Sequence, residues 1–257
     1  MTHLSKLISL RSPTKVVRSL VFALITLVLF PVATLAAPPS PLDPASPAAR
    51  SIANLHTIVL WIASIVFAIV CGLLLYSIVR FRRKSENDPE PDQRFHSSVV
   101  LETIWTIIPV GILLVLLVLT FQVLGDINPN RPTDMTIKVT GKQWLWEVEY
   151  PDTGIKLINE IRIPLNTDVR IELTSVDVIH SFWVPQLIGK TDTIPGYITS
   201  SWFRADRLGT FRGQCAEFCG LGHAQMPMHV TVLSPEDYNL WSTATAEKQA
   251  KVEVEIE

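Results

Sequence analysis

Two long stretches without any Asp, Glu, Lys or Arg constrain this fold more than any other sequence feature. One covers residues 51–79 and the other residues 103–125. Each can cross a hydrocarbon core about 30 Å thick, where every backbone polar group must be hydrogen-bonded within a helix. A buried helix pair in a soluble protein is the alternative, which two uncharged runs of this length disfavour. We predict transmembrane helices over residues 56–80 and 102–125.

The segment between the two apolar runs is basic and sets the orientation of the helices. Residues 81–101, predicted as a loop, contain the basic run 82–84 and Arg94. Short loops with an excess of Lys and Arg stay on the cytoplasmic side of a membrane. Both outer ends of the helix pair then face the exterior. We therefore expect a multi-pass protein of the cell membrane whose chain lies outside from residue 126 onwards.

The N-terminus, residues 1–37, has the composition of an export signal. Basic residues come first, an apolar run follows at residues 20–30, and small residues around Ala36 favour cleavage. An uncleaved membrane helix is the alternative. Residues 38–55 follow as an exported Pro-rich segment. The 5 Pro within residues 38–50 predict an exposed linker without helix.

Residues 126–246 have the pattern of a β-domain. Short runs rich in Ile, Val, Thr and Trp are separated by Gly, Pro, Asn and Asp, and no long helical pattern intervenes. We expect an antiparallel sandwich or barrel with Greek-key connections. Ser234 and Pro235 predict a helix start, and the helix is expected to reach about Ala246. Residues 247–257 are left as a tail.

Charge limits the partners of this domain. Residues 126–257 contain 12 Lys and Arg against 18 Asp and Glu, a net charge of −6, whereas the whole chain carries −2. A nucleic-acid-binding surface concentrates basic residues, so we expect no nucleic-acid partner. An acidic surface favours a basic partner through long-range steering.

The densest chemical signal is a cluster of soft metal ligands. Cys215, Cys219, His223 and Met226 follow one another closely, and His180 lies upstream in a β-type run. Thiolates, imidazoles and a thioether suit copper better than Mg²⁺ or Ca²⁺, and two thiolates can bridge two metal ions. A disulfide between the cysteines and a structural zinc site are the alternatives, although Met is a poor zinc ligand.

These motifs resemble the CuA-containing subunit II of cytochrome c oxidase. The resemblance rests on CAEFCGLGHAQM from Cys215, on the upstream DVIHSFWVP, on ETIWTIIP from Glu102, on GKQWLW from Gly141 and on KTDTIPG from Lys190. It covers roughly residues 50–245. The fold that it implies is a membrane-anchored all-β protein, in which a two-helix transmembrane hairpin precedes a cupredoxin-like Greek-key β-barrel.

The resemblance implies a dinuclear copper centre. Its metal-site residues would be His180, Cys215, Glu217, Cys219, His223 and Met226. The two cysteines would bridge both copper ions. His180 and Met226 would complete one ion, and His223 with the backbone carbonyl of Glu217 would complete the other. The Glu217 side chain would reach a Mg²⁺ site shared with subunit I.

The resemblance also implies roles outside the metal site. Trp144 would be the electron entry point, in the region where the donor docks. Glu149 and Asp177 would give that docking face negative charge. Glu102 would lie at the mouth of a proton path into subunit I, although an acid at a helix N-terminus is also favoured by the macrodipole alone.

The implied activity belongs to a larger assembly. The chain would accept electrons from an exported cytochrome c, or a similar donor, and pass them to haem in subunit I. That subunit, with haem and CuB, would reduce O2 to water and pump protons, and subunit III is a further expected partner.

The chain departs from the family pattern near the docking face. Lys142 stands where a His is common, and Val176 stands where an acid is common. The donor is therefore expected to differ from a strongly basic cytochrome c. A quinol-oxidase subunit II without copper and a copper-handling membrane protein are the competing interpretations.

Overall fold

The computed structural model describes residues 40–83, residue 85 and residues 98–256, with side chains up to residue 251. The predicted export signal, residues 1–37, lies outside the described residues. So does most of the predicted loop 81–101.

Two long helices carry the apolar runs. Helix α1 spans Pro47–Arg80 and helix α2 spans Val99–Asp126, and both are long and apolar enough to cross a membrane. The helices contact each other, and no side chain of α2 is buried within the chain. The Ser51 hydroxyl donates a hydrogen bond to Asp126 Oδ2 at 2.8 Å. This bond links the start of α1 to the end of α2.

The start of α1 corrects the prediction that residues 38–50 form an exposed linker without helix. Ser46 caps the helix, because its hydroxyl oxygen accepts from Ala49 N at 2.9 Å, and Pro47 takes a position where Pro is tolerated. The Ser46 hydroxyl also donates to Leu187 O at 2.6 Å, and Ser46 is fully buried. The high Pro content therefore marks a helix start that is attached to the β-domain.

Further contacts hold this segment, residues 43–50, which we name the N-terminal strap. Its Ala45 N donates to Gln186 O at 2.7 Å. Asp43 accepts from both terminal guanidinium nitrogens of Arg207, Nη2 at 2.9 Å and Nη1 at 3.1 Å. Arg50 pairs with Asp206. The strap thus lies against the turn after residue 184 and the loop after residue 203.

In the part of the chain that the structure describes, ten strands form two sheets. In chain order the strands are β1 (Met135–Lys142), β2 (Leu145–Glu149), β3 (Lys156–Ile158), β4 (Glu160–Pro164), β5 (Val169–Ser175), β6 (His180–Val184), β7 (Ile188–Thr193), β8 (Thr199–Phe203), β9 (Gly209–Cys215) and β10 (Pro227–Leu233). One sheet has the order β3-β2-β1-β5-β8 and the other β4-β10-β9-β6-β7. Both sheets contribute to one core of buried apolar side chains.

The strand pairing is mixed, whereas the sequence predicted an antiparallel arrangement. Strand β1 runs parallel to β5, and β4 runs parallel to β10. These pairs align apolar residues of distant sequence, such as Ile137 with Ile171 and Ile161 with Val230. A two-helix pair followed by a two-sheet, cupredoxin-like β-domain confirms the predicted fold class.

Helix α3 spans Pro235–Ile256 and closes the chain. It begins as predicted, since Asp237 N donates to Ser234 Oγ at 3.1 Å. It continues well beyond Ala246, which corrects the separate tail predicted over residues 247–257. The Gln249 amide bonds both backbone groups of Lys156, at 2.8 and 3.0 Å, and so ties the later turns to the edge strand β3.

Candidate metal centre

The metal-type side chains meet where three segments converge. His180 opens β6, Cys215 ends β9, and these two strands are hydrogen-bonded neighbours. Cys219 follows on the loop after β9. One ligand atom from each of the three residues lies within 4.8 Å of the others, and all three side chains are buried.

The two cysteines are reduced thiols. Their Sγ atoms are 3.8 Å apart, whereas a disulfide bond is about 2.05 Å long. Burial, together with the neighbouring Cys215 sulfur, raises the pKa of Cys219 to about 12. A soft cation between the sulfurs reverses this effect, because it stabilises the thiolate form. The pair therefore has the chemistry of a metal bridge.

His180 is oriented as a metal ligand. Its Nε2 lies 2.8 Å from Asp177 Oδ1, and its buried Nδ1 has no partner among the described residues. Ligating histidines commonly bond a carboxylate through the nitrogen that does not face the metal. A Cβ on Gly141 would lie 2.8 Å from His180 Cδ2, so the imidazole needs a glycine at that position. The donor set and this unpartnered nitrogen fit copper.

Asp177, which the sequence predicts for the docking face, is exposed and also contacts the metal-type residue His180. Besides His180, its carboxylate accepts from Gln143 N at 2.7 Å and from Val178 N at 2.6 Å. Partial burial raises the pKa of Asp177, but the hydrogen bonds from His180 and two backbone N–H groups outweigh it and lower the pKa to about 2. Asp177 therefore positions the imidazole.

The remaining predicted ligands surround the thiols. His223 Nδ1 lies 3.7 Å from Cys219 Sγ, on a short 3₁₀ turn, His223–Gln225. Met226 is buried in the same core as both cysteines, and its carbonyl accepts from Cys215 N at 3.2 Å. The Glu217 carbonyl accepts from the Cys215 thiol at 3.2 Å, while the Glu217 side chain is exposed.

Trp144 packs directly on the cysteine loop. Its Nε1 donates to Cys219 O at 3.3 Å, and 38% of the residue is exposed. The ring lies so close to Gly222 that a Cβ there would be 2.4 Å from Trp144 Cδ2. Gln143 Nε2 donates to the same Cys219 carbonyl at 2.6 Å. This close packing joins Trp144 to the metal-site backbone.

Three residues beside the site, Gln143, Gly141 and Gly222, have no role that the sequence predicts. The first two stand beside Trp144 in the GKQWLW motif and Gly222 precedes His223, so their position was a signal. What each does depends on contacts across the fold, which spacing alone does not reveal.

Two predicted functional residues lie away from this cluster. Glu102 is in the first turn of α2, at the opposite end of that helix from the β-domain. Glu149 is exposed and ends β2, the strand that leads away from Trp144.

Comparison with known families agrees with this geometry. The family model described as the transmembrane domain of cytochrome c oxidase subunit II matches residues 42–123. The model described as its periplasmic domain matches residues 155–233.

Individual relatives extend the match over most of the chain. A probable cytochrome c oxidase subunit 2 of Rickettsia prowazekii is 37% identical over 235 residues, which cover 81% of this chain and 74% of the relative. A quinol oxidase subunit 2 of Bacillus cereus is 32% identical over 219 residues, covering 82% of this chain and 74% of that protein.

Among solved structures, the periplasmic domain of cytochrome oxidase subunit II from Bradyrhizobium japonicum is 36% identical, with a TM-score of 0.45. That match covers 46% of this chain and 97% of the solved one. The sequence matches span both the helix pair and the β-domain, so this chain belongs to the cytochrome c oxidase subunit II family.

Proposed function

We propose that the β-domain holds a dinuclear copper centre that takes electrons from an exterior donor and delivers them to haem in subunit I. The supporting observation is a pair of buried, reduced thiols 3.8 Å apart beside the unpartnered Nδ1 of His180. When bound, the copper pair supplies a one-electron redox couple whose charge change is spread over two ions.

The ligand assignment follows the contacts of the loop. Cys215 and Cys219 would supply the two thiolates. His180, Met226, His223 and the Glu217 carbonyl would supply the remaining ligands of the copper pair. The 3.2 Å contact between the Cys215 thiol and the Glu217 carbonyl supports this assignment, as does the 3.7 Å contact between Cys219 Sγ and His223 Nδ1.

The residues around the ligands keep the site rigid and dry. Asp177 accepts the Nε2 proton of His180 in a hydrogen bond, so Nδ1 presents its lone pair to the metal. Burial of both cysteines and of Met226 excludes water from the ligand atoms. A rigid site of this kind changes little in geometry when its charge changes, and this favours fast electron transfer.

Trp144 is the electron entry point in this proposal. Its indole is exposed on one side and hydrogen-bonded on the other to the carbonyl of Cys219, a bridging ligand. An electron that arrives at the indole therefore has a short path into the ligand set. The packing of Trp144 against the cysteine loop supports this role.

Other roles concern the assembled oxidase. The exposed Glu217 carboxylate would bind a Mg²⁺ ion shared with subunit I. Glu102, near the cytoplasmic start of α2, lies where protons enter a path into that subunit. Oxygen reduction and proton pumping belong to subunit I, with its haem and CuB, and subunit III completes the core. The chain lies in the cell membrane with its β-domain outside.

One relative is named as a quinol oxidase subunit, so ancestry alone does not identify the electron donor of this chain. A quinol-type subunit needs no copper ligands. This chain keeps the complete ligand set, and the burial of both thiols favours the copper-containing form. A copper-handling protein would hold one exchangeable ion, for which two bridging thiols are unnecessary.

Copper content and EPR of the purified full-length chain test the proposal. We expect two copper ions per chain and hyperfine structure shared over two nuclei. Cys215→Ser should abolish that spectrum and donor oxidation. Cys71→Ser is the matched control, since Cys71 lies in α1, and should change neither. A single localised copper in the unaltered chain would refute the dinuclear centre.

A further inference from the structure

The acidic side chains nearest Trp144 have partners within the chain. Glu147 and Lys142 form an ion pair at 2.5 Å, directly beside the turn that carries Trp144. Asp177 keeps its negative charge, but its carboxylate oxygens are hydrogen-bonded by the imidazole of His180 and by two backbone N–H groups. The ion pair therefore removes the charge of Glu147, and the hydrogen bonds occupy the oxygens of Asp177.

Glu149 is neutralised in another way. In the sheet it is aligned with Lys138 on one neighbouring strand and with Lys156 on the other. Residues directly opposite in a sheet project from the same face, so Glu149 stands between two lysines. The negative charge of Glu149, one of the two acids that the sequence assigns to a docking face, is therefore offset within the sheet.

The surface around Trp144 is mainly apolar. Leu221 is 98% exposed and lies between Gly220 and Gly222, the two glycines that pack against the Trp144 ring. Phe218, on the same loop, and Val176 and Val178, on either side of Asp177, are exposed too. We name this surface the apolar collar. It consists of Trp144, Val176, Val178, Phe218 and Leu221.

Exposed aromatic and aliphatic side chains around one half-buried Trp are typical of binding surfaces. Glu217 is the exposed acid of the same loop, and its Oε1 accepts from Phe218 N at 3.2 Å. A partner that matches this surface presents apolar side chains and few charges. A partner that binds through a ring of lysines would meet few carboxylates without a cationic partner on this surface.

We propose that the apolar collar binds the electron donor, and that this donor is a small electron-carrier protein whose exposed cofactor edge is surrounded by apolar side chains rather than by lysines. This inference rests on the proposed function, since it names the partner of the same site. The reduced carrier loses one electron and the metal centre of this chain gains it, and no bond forms or breaks.

The first test measures how donor oxidation by the assembled oxidase depends on salt. Exposed charges attract over distances that salt shortens, to about 10 Å at 0.1 M. Two probes are used: a strongly basic cytochrome c, and the same protein with its lysines acetylated. We expect kcat/KM to change less than about tenfold with either probe between about 10 and 200 mM ionic strength. A steeper loss with the basic probe overturns the proposal.

The second test alters the apolar collar itself. Leu221→Ser should lower kcat/KM for the acetylated probe about tenfold at low and high salt alike, because a central apolar contact is lost. The matched control is Leu208→Ser, an exposed leucine before β9, which should change nothing. Val176→Glu should make oxidation of the basic probe salt-dependent. An unchanged rate in Leu221→Ser contradicts the proposal.

The copper EPR spectrum and reduction by a small photoreductant are recorded for each variant. Loss of the spectrum in the unaltered protein refutes the proposed function. An intact spectrum with steep salt dependence refutes only the apolar donor.

Discussion

The N-terminal strap and the cysteine loop, residues 215–226, are both short segments fixed to the β-domain, yet they are held in different ways. In the strap the polar groups find partners within the chain: Ser46 bonds Leu187, and Asp43 bonds Arg207. At the cysteine loop two thiols face each other and His180 Nδ1 lacks a partner among the described residues. The polar groups of the strap are paired within the chain, whereas the loop brings together ligand atoms of the kind that a metal would bind.

Copper removal should have the largest effect, and it should affect the two segments differently. Chelation should lower the free energy of unfolding of the β-domain by on the order of 5 kcal/mol, because the ion binds the folded site and not the unfolded chain. Hydrogen exchange measured by mass spectrometry should rise over residues 215–226 and stay unchanged over residues 43–50. Equal loss of protection in both segments would show that the strap also depends on the metal.

Asp177→Asn should have the next largest effect. The amide cannot replace the carboxylate that holds His180 Nε2, and loss of such a partner typically raises a metal dissociation constant about 10–100-fold. Competition with a copper chelator measures this constant. Asp206→Asn, which breaks an ion pair of the strap, is the control and should leave copper affinity unchanged. Equal affinity in all three proteins would contradict a positioning role for Asp177.

Ser46→Ala should weaken the strap and spare the metal site. It removes a helix cap and a buried hydrogen bond to Leu187, which together contribute about 1–2 kcal/mol. Urea unfolding followed by Trp fluorescence measures the loss, and the copper EPR spectrum should not change. Ser40→Ala, at an exposed hydroxyl, is the control and should cost less than about 0.5 kcal/mol.

The smallest effect is the pH dependence of the strap. The Arg207 guanidinium holds the pKa of Asp43 below its usual value. Stability from this pair is therefore present above the ordinary carboxyl pKa of 3.8 and is lost as pH falls through the lower folded-state value. The difference in melting temperature between the unaltered chain and Asp43→Asn should shrink in acid. A difference that grows in acid would reverse the sign of this linkage.

What the sequence predicted well depended on local pattern. The helices follow from charge-free runs, and the ligand cluster follows from spacing around Cys215 and Cys219. The start of α1 was missed because a high Pro content was taken to exclude helix, although Pro47 stands in the first turn, where its missing N–H costs nothing.

What depended on long-range contact was not predictable. Trp144 and Cys219 are 75 residues apart, and their hydrogen bond follows from the fold and not from sequence spacing. The parallel pairing of β1 with β5 joins strands separated by three others in the chain, and apolar alternation does not specify which strands become neighbours. The sequence likewise does not show that Glu149 is aligned with a lysine on each neighbouring strand.

The strap has a consequence for how the oxidase assembles. The β-domain is joined to the helix pair twice, by the chain after Asp126 and by the strap at the start of α1, and the hydrogen bond between Ser51 and Asp126 links these two connections. A body tied at two points has lost most of its freedom to swing. The orientation of the β-domain and its cysteine loop is then fixed before a membrane partner binds, so association immobilises little domain motion and loses correspondingly less entropy.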